Sequence, residues 1–333
     1  MPSNQLQRIA ALRSATVPPH AYFMGSAVFH YLGPSFAVLL FARVDVLGVA
    51  WLRIASAALI FAVWRRPWRA FLALDRGGQL LIVALGAVFA LMNVCFYISI
   101  NRLPLATVAA IEFMGPIVLA AIGARVPRNF AAILAAGVGV YLLTHARFVG
   151  EPLGVGFAFA NAALFAAYIV LAHRVAQRSR LGDIDGLAAA MLFAFIFVSP
   201  IGLRGATHAF ADPVALAAGI GVGVSSSVIP YVFDQLAMAR LARATYALFV
   251  ALLPATATGI GVIVLRQLPT PVDLAGIALV MLGVVLHRDR SVPEAPPPAV
   301  AGTAQASVDA SSPAGSAPEG APLAKRSAAE LMQ

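Results

Sequence analysis

Residues 79–100 read QLLIVALGAVFALMNVCFYISI, an unbroken apolar run with Arg76 before it and Arg102 after it. As an α-helix rising ~1.5 Å per residue it reaches ~33 Å, enough to cross the hydrocarbon core of a bilayer. Working outward from it, and bounding apolar runs by charges, prolines and polar clusters, gives ten such stretches: 21–42, 46–64, 79–100, 105–123, 130–145, 153–173, 187–203, 214–237, 244–264 and 271–287. The fifth, seventh and tenth are short for a span. The composition agrees, with 61% hydrophobic and 11% charged residues against ~45–50% and ~25% in soluble globular proteins. An ordinary soluble enzyme is thereby excluded.

The net charge of +9 does not point to nucleic acid, because the basic residues fall between the apolar runs, as in the loops of a membrane protein. If the N-terminus is cytoplasmic, 17 of the 23 basic residues lie in inner segments, among them Arg65, Arg66, Arg69 and Arg76. Only Arg43, Arg102, Arg147, Arg204 and Arg266 fall outside, one to a loop, and Arg53 lies within a span. Losing one span would scramble this alternation. The expected fold is therefore all-α and integral to the membrane, with ten helices and both termini cytoplasmic. Residues 1–20 have no separate apolar core ending in a small-residue cleavage site, so no cleaved signal peptide is expected. Residues 291–333 turn to Pro, Ala, Ser and Gly, a composition expected to give a disordered cytoplasmic tail.

An internal repeat divides the spans. Arg102-Leu103-Pro104-Leu105-Ala106-Thr107 recurs as Arg240-Leu241-Ala242-Arg243-Ala244-Thr245, and at the same offset Pro116 meets Pro254. Further on, Gly137-Val138 answers Gly283-Val284. The repeats are then 21–145 and 153–287, five helices each. An odd number of helices per repeat turns the second over relative to the first, the arrangement that suits alternating access. The matched prolines free backbone carbonyls within spans four and nine, which is tolerated at membrane depth only beside protein or a polar cavity. Pro116, Pro254 and the adjoining Gly115 are thus candidate pathway residues.

Charge within a span is costly, roughly 2.5–3.5 kcal/mol for Arg or Asp at a helix centre, and so calls for a reason. Glu112 and Arg53 each lie seven residues from the outer end of their spans, and Asn93 seven before the outer end of its own. A polar cluster of Arg53, Asn93 and Glu112 is expected in that layer, with Tyr97, Tyr231 and Ser227 completing a small amphipathic pocket. Glu112 would bind an ammonium group or exchange a proton, and Arg53 would hold a carboxylate or keep Glu112 ionised. A purely structural pair is the competing reading. Ser225, Ser226 and Ser227 also suit close helix packing, and His30 suits a satisfied interior histidine. The sequence has no HExxH, phosphate loop, CxxC or Gly-x-Ser-x-Gly. With the single cysteine Cys95, no enzyme, cofactor or metal site is expected.

These residues resemble the drug/metabolite transporter superfamily, its EamA-domain branch, and within it the RhtA-type threonine and homoserine exporters. The resemblance rests on Asn93-Val94-Cys95-Phe96-Tyr97-Ile98-Ser99-Ile100, Pro104-Leu105 and Ile111-Glu112-Phe113-Met114-Gly115-Pro116, similar to the family's NYLFYLSI, PLG and LEFTGP. Trp51-Leu52-Arg53-Ile54, Arg66-Pro67-Trp68-Arg69, Ile229-Pro230-Tyr231 and the stretch from Ala237 to Leu241 also match, so that residues 17–288 are covered. It implies two EamA repeats around a central cavity and efflux driven by an ion gradient. The second half departs from the pattern. Leu253 stands before Pro254 where the family commonly has an acid, and Arg266-Gln267 replaces its Gly-Glu. The expected partners are a small-molecule substrate, protons and membrane lipid, with no nucleic acid, and the chain acts as a monomer or homodimer in the inner membrane. Amino-acid efflux leads, export of aromatic or cationic drug-like metabolites is the alternative, and a non-transporting membrane partner is the third reading.

Overall fold

The computed structural model describes residues 18–123, 126–178, 183–238 and 249–286. The N-terminal 17 residues, the repeat motif at 240–245 and the 291–333 tail lie outside the described residues. Every regular element described is helical: α1 (Pro19–Leu40), α2 (Val46–Arg65), α3 (Pro67–Leu72), α4 (Arg76–Ile100), α5 (Leu105–Glu112), α6 (Met114–Gly123), α7 (Pro127–Gly150), α8 (Pro152–Arg178), α9 (Asp183–Ala211), α10 (Pro213–Gly223), a π-helical turn Val224–Val228, α11 (Ile229–Met238), α12 (Leu253–Leu265) and α13 (Pro271–Leu286). Proline opens α1, α3, α7, α8, α10 and α13, where its missing N–H costs no intrahelical bond.

Seven helices are long and apolar enough to cross a membrane, and Leu105–Leu119, Leu253–Leu265 and Pro271–Leu286 are shorter apolar helices. The expected lengths need correcting. The fifth and seventh spans are long, α7 having 24 residues and α9 having 29, because the helices continue through polar residues that bound the apolar runs. The tenth is short, at 16 residues. The fourth is two helices broken at Phe113, and the eighth contains the π turn. Large apolar side chains face outward, Leu59, Leu80, Leu134 and Ile263 being 67–76% exposed, a surface that water would penalise and a bilayer covers.

The bundle is sewn through small residues. Gly139 of α7 and Gly276 of α13 lie against each other's carbonyls, where a Cβ on either would stand 2.6 or 2.8 Å from the facing oxygen. Such contacts bring helix backbones together in a medium where burial alone gives little drive. α7 packs on α13, α2 on α9, α4 on α8 and α9, α1 on α10, α11 and α12, and α8 also on α5 and α6.

Polar ties close both ends. At one, Arg43 pairs with Asp212 and Arg102 with Glu151, each at 3.3 Å, and Gln267 Oε1 accepts from the Leu105 N–H at 3.0 Å. At the other, Arg65 pairs with Asp185 at 2.7 Å and Arg128 Nε donates to the Leu286 carbonyl at 2.8 Å. Asp212 also caps α10, accepting from Val214 and Ala215. The Ala215 and Val214 N–H groups, with Arg43 beside them, hold its carboxyl below the usual aspartate range. Because the folded value is depressed, the cap contributes fully above the unfolded value of ~3.9 and is lost as pH falls through the folded one. Hydrogen-exchange protection at Val214 and Ala215, taken relative to the intrinsic rate at each pH, is therefore expected to fall below about pH 4. Unchanged protection there would contradict the cap.

Candidate functional site

Arg53 sits in the middle of α2 and is 7% exposed. Its Nε donates to Ser227 Oγ at 3.1 Å and its Nη2 to the Ser226 carbonyl at 3.2 Å, while the guanidinium lies 5.5 Å from the centre of the Tyr97 ring. The reason the Ser226 carbonyl is free is Pro230, which lacks the N–H that an α-helix would supply four residues on. The chain takes the π turn there, with the Ile229 N–H returning to the Val224 carbonyl. Ser225 and Ser226 turn their hydroxyls back to the Gly221 and Val222 carbonyls. Ser26 of α1 donates to the Pro230 carbonyl at 3.2 Å. Arg53 thus completes the hydrogen bonding of an irregular turn in the other half of the chain.

Glu112 is the last residue of α5 and is 9% exposed. Pro116 removes the N–H that would bond the Glu112 carbonyl, and the helix breaks at Phe113 before resuming as α6. Gly115 lets α6 lie directly on the Ala162 carbonyl of α8. That contact brings α8 to the carboxylate: Asn161, fully buried, donates Nδ2–H to Glu112 Oε1 at 3.1 Å. Pro254 plays a different part, standing second in α12, directly after the turn at 251–252.

The expected cluster is divided. Arg53 and Glu112 lie within each other's electrostatic reach, yet no ion pair joins them among the described residues, whose pairs are Arg43–Asp212, Arg65–Asp185 and Arg102–Glu151. Asn93 donates to the Phe89 carbonyl of its own helix at 2.9 Å. Tyr97 and Ser227 stand with Arg53. The Tyr231 ring lies tilted against Phe89 at 6.3 Å, and Phe89 against Tyr168 at 5.9 Å. Asn161 is the residue that sequence reasoning missed, although the signal was present: it lies eight residues into its span, from the same end that places Arg53 and Glu112 seven in.

Among the described residues, three buried polar atoms have no hydrogen-bond partner: the hydroxyls of Tyr31 and Tyr97 and the Oδ1 of Asn161. Buried polar groups are rarely left so. Two cavities open elsewhere. One of about 440 Å³ runs between α1 and α10 from Arg43 to Ser225, and one of about 200 Å³ lies among Thr107, Thr258, Gln267 and Asp273. Arg53 and Glu112 line neither of these two. Among the described residues no group of His, Cys, Asp and Glu is placed to hold a metal.

A membrane-embedded helical bundle with a buried carboxylate at a helix break has the build of a transporter. The EamA-like transporter family matches residues 152–288. The threonine/homoserine exporter RhtA of Escherichia coli (strain K12) is 31% identical over 258 residues, covering 75% of this chain and 84% of that protein. Its namesake in Salmonella typhimurium (strain LT2) is 30% identical over 256 residues, with the same coverage. A solved crystal structure shares the fold at 16% identity and a TM-score of 0.53, covering 81% of this chain and 98% of that one. The chain belongs to the EamA-like transporter family; it is a membrane transporter and not an enzyme.

Proposed function

We propose that the chain exports small amphipathic metabolites, most directly amino acids such as threonine and homoserine, across the inner (plasma) membrane, and that Glu112 couples export to protons. The observation that carries this reading is the buried Glu112 carboxylate, which has an amide partner and, among the described residues, no cation paired to it. The other buried charged residues described are Arg53 and Asp273. Arg53 is committed to the serine turn, and Asp273 accepts from Thr270 at the start of α13. Glu112 is left to meet a substrate ammonium or a proton. The name carried by the bacterial relatives supports the substrate class.

Two inverted repeats, 21–145 and 153–287, are the architecture that suits this activity. The helix packing supports them. Exchanging each helix with its counterpart turns the contacts of α1 with α10, α11 and α12 into those of α8 with α4, α5 and α6, while α2–α9 and α7–α13 map onto themselves. The basic loops support cytoplasmic termini, with 1–20 and 291–333 as cytoplasmic segments. On this reading Pro116, Pro254 and Gly115 shape the pathway, and Arg53, Asn93, Tyr97, Tyr231 and Ser227 line or brace it. The rings of Phe89, Tyr168 and Tyr231, spaced about 6 Å apart, favour aromatic or cationic metabolites as the second reading.

Cells loaded with an amino-acid panel test the proposal. Expression of this chain is expected to accelerate threonine and homoserine efflux over an empty vector, and collapse of the proton gradient is expected to remove the acceleration. Well-expressed protein that moves no amino acid would overturn the substrate class and turn the search to aromatic cations.

A further inference from the structure

We propose that Asn161 converts the protonation state of Glu112 into the hydrogen-bonding character of the substrate site, by reversing its side-chain amide. This rests on the exporter reading for the identity of the ligand, but not for the switch itself. The geometry begins with the bond already described. Asn161 Nδ2 donates to Glu112 Oε1 at 3.1 Å, so Oδ1 points the other way, and there it is fully buried without a protein partner. With Glu112 ionised, the pair therefore offers a carboxylate and an amide oxygen, both acceptors. An ammonium group, which only donates, is the complementary ligand.

Protonation changes both members. The acid now carries an O–H, and the good acceptor within reach is the amide oxygen, which comes to face Glu112 when the terminal amide turns half a circle. That torsion is broad and roughly two-fold, and oxygen and nitrogen are nearly equal in size, so the turn needs no repacking. Nδ2 then faces the site with its donors. One proton gained thus removes the negative charge and replaces an acceptor by donors, and both changes expel an ammonium. The balance is one proton in for one ammonium out: the proton forms the O–H bond of the Glu112 acid, and the ammonium leaves with all its own bonds intact.

The surroundings leave the pair free to act. Arg53 of α2, Tyr31 of α1 and Tyr231 of α11 are the groups within electrostatic reach of Glu112 from packed elements. None is bonded to it, α12 carries no ionisable residue, and Tyr97 of α4 faces Arg53. Arg53 is held by Ser226 and Ser227 and does not compete for the carboxylate. The contact of Gly115 on the Ala162 carbonyl holds α6 against α8 directly beside the pair across which the amide turns.

Two measurements test this on the purified full chain. The first is ligand-free: infrared difference spectra between acid and neutral pH, on protein carrying asparagine labelled with ¹³C at the side-chain carbonyl. The band that disappears in Asn161→Gln, which moves that amide out of the label, belongs to Asn161. It is expected to shift together with the carboxylic acid band of Glu112, and not to shift in Glu112→Gln. A Glu112 acid band without any Asn161 shift overturns the proposal. The second is threonine binding at neutral pH in a double-mutant cycle. The amide of Gln at position 112 donates to Oδ1 as the protonated acid would, so Glu112→Gln is expected to weaken binding about 100-fold in the wild-type background and only about 10-fold beside Asn161→Leu. Equal losses in both backgrounds overturn the proposal. A shifted Asn161 band in a protein that does not bind threonine sustains the switch and removes the substrate assignment alone.

Discussion

Glu112→Gln is expected to bring the concentration ratio built by export down to one, while leaving the protein in the membrane at its normal level. A proton falling through 100 mV releases ~2.3 kcal/mol, enough for more than a tenfold ratio of substrate across the membrane. A carboxamide neither gains nor loses a proton in this range, so export through it can only equilibrate. Counterflow of labelled against unlabelled substrate, run at concentrations high enough to offset the weakened binding, separates lost coupling from lost folding, since an uncoupled but intact carrier still exchanges. Coupled export that persists in Glu112→Gln would eliminate this residue as the proton site.

Arg53→Ala is expected to cost stability and transport together. It strips Ser227 Oγ and the Ser226 carbonyl of a charged donor, and hydrogen bonds to charged groups are worth about 1.5–3 kcal/mol each. Leaving two buried acceptors unpaired costs about 1–3 kcal/mol each, a large part of a typical stability of about 5–15 kcal/mol. Expression level and the thermal midpoint in detergent are expected to drop in parallel with efflux. Arg53→Lys is expected to recover part of both, because a point charge cannot fork to two acceptors as a guanidinium does. A stable Arg53→Ala protein that has lost only transport would make Arg53 a reader of the substrate carboxylate.

The helical, membrane-embedded class of the fold was legible because a span needs length and apolarity, and both are written in consecutive residues. Lengths were less legible. The run from 130 to 145 stops at polar Asn129, yet α7 starts at Pro127; helix continuity depends on hydrogen bonds that polar side chains do not interrupt. In the site, depth counting placed Glu112 and Arg53 in one layer but said nothing of rotation about the helix axis. Rotation sends Asn93 back to its own backbone and Arg53 to the serine turn. The effect of Pro230 on Ser226 was readable in principle, since a proline always frees the carbonyl four residues earlier. What could not be read is that the donor filling it comes from 173 residues away. Asn161 followed from the same counting that found Glu112, applied to one more span.

The ties across the two ends are individually weak. Exposed ion pairs such as Arg43–Asp212, with side chains 61% and 38% exposed, are worth at most about 1 kcal/mol, and the neutral bond from Leu105 to Gln267 about 0.5–1.5 kcal/mol. The opposite end, held by Arg65 with Asp185 and Arg128 with Leu286, is fastened by contacts of the same kind. Among the described residues each of these ties is worth at most a few kcal/mol, so polar bonding of this kind holds either end only lightly. On the proposed exporter reading, it is then the occupant of the centre, and not the ends, that decides when either door parts.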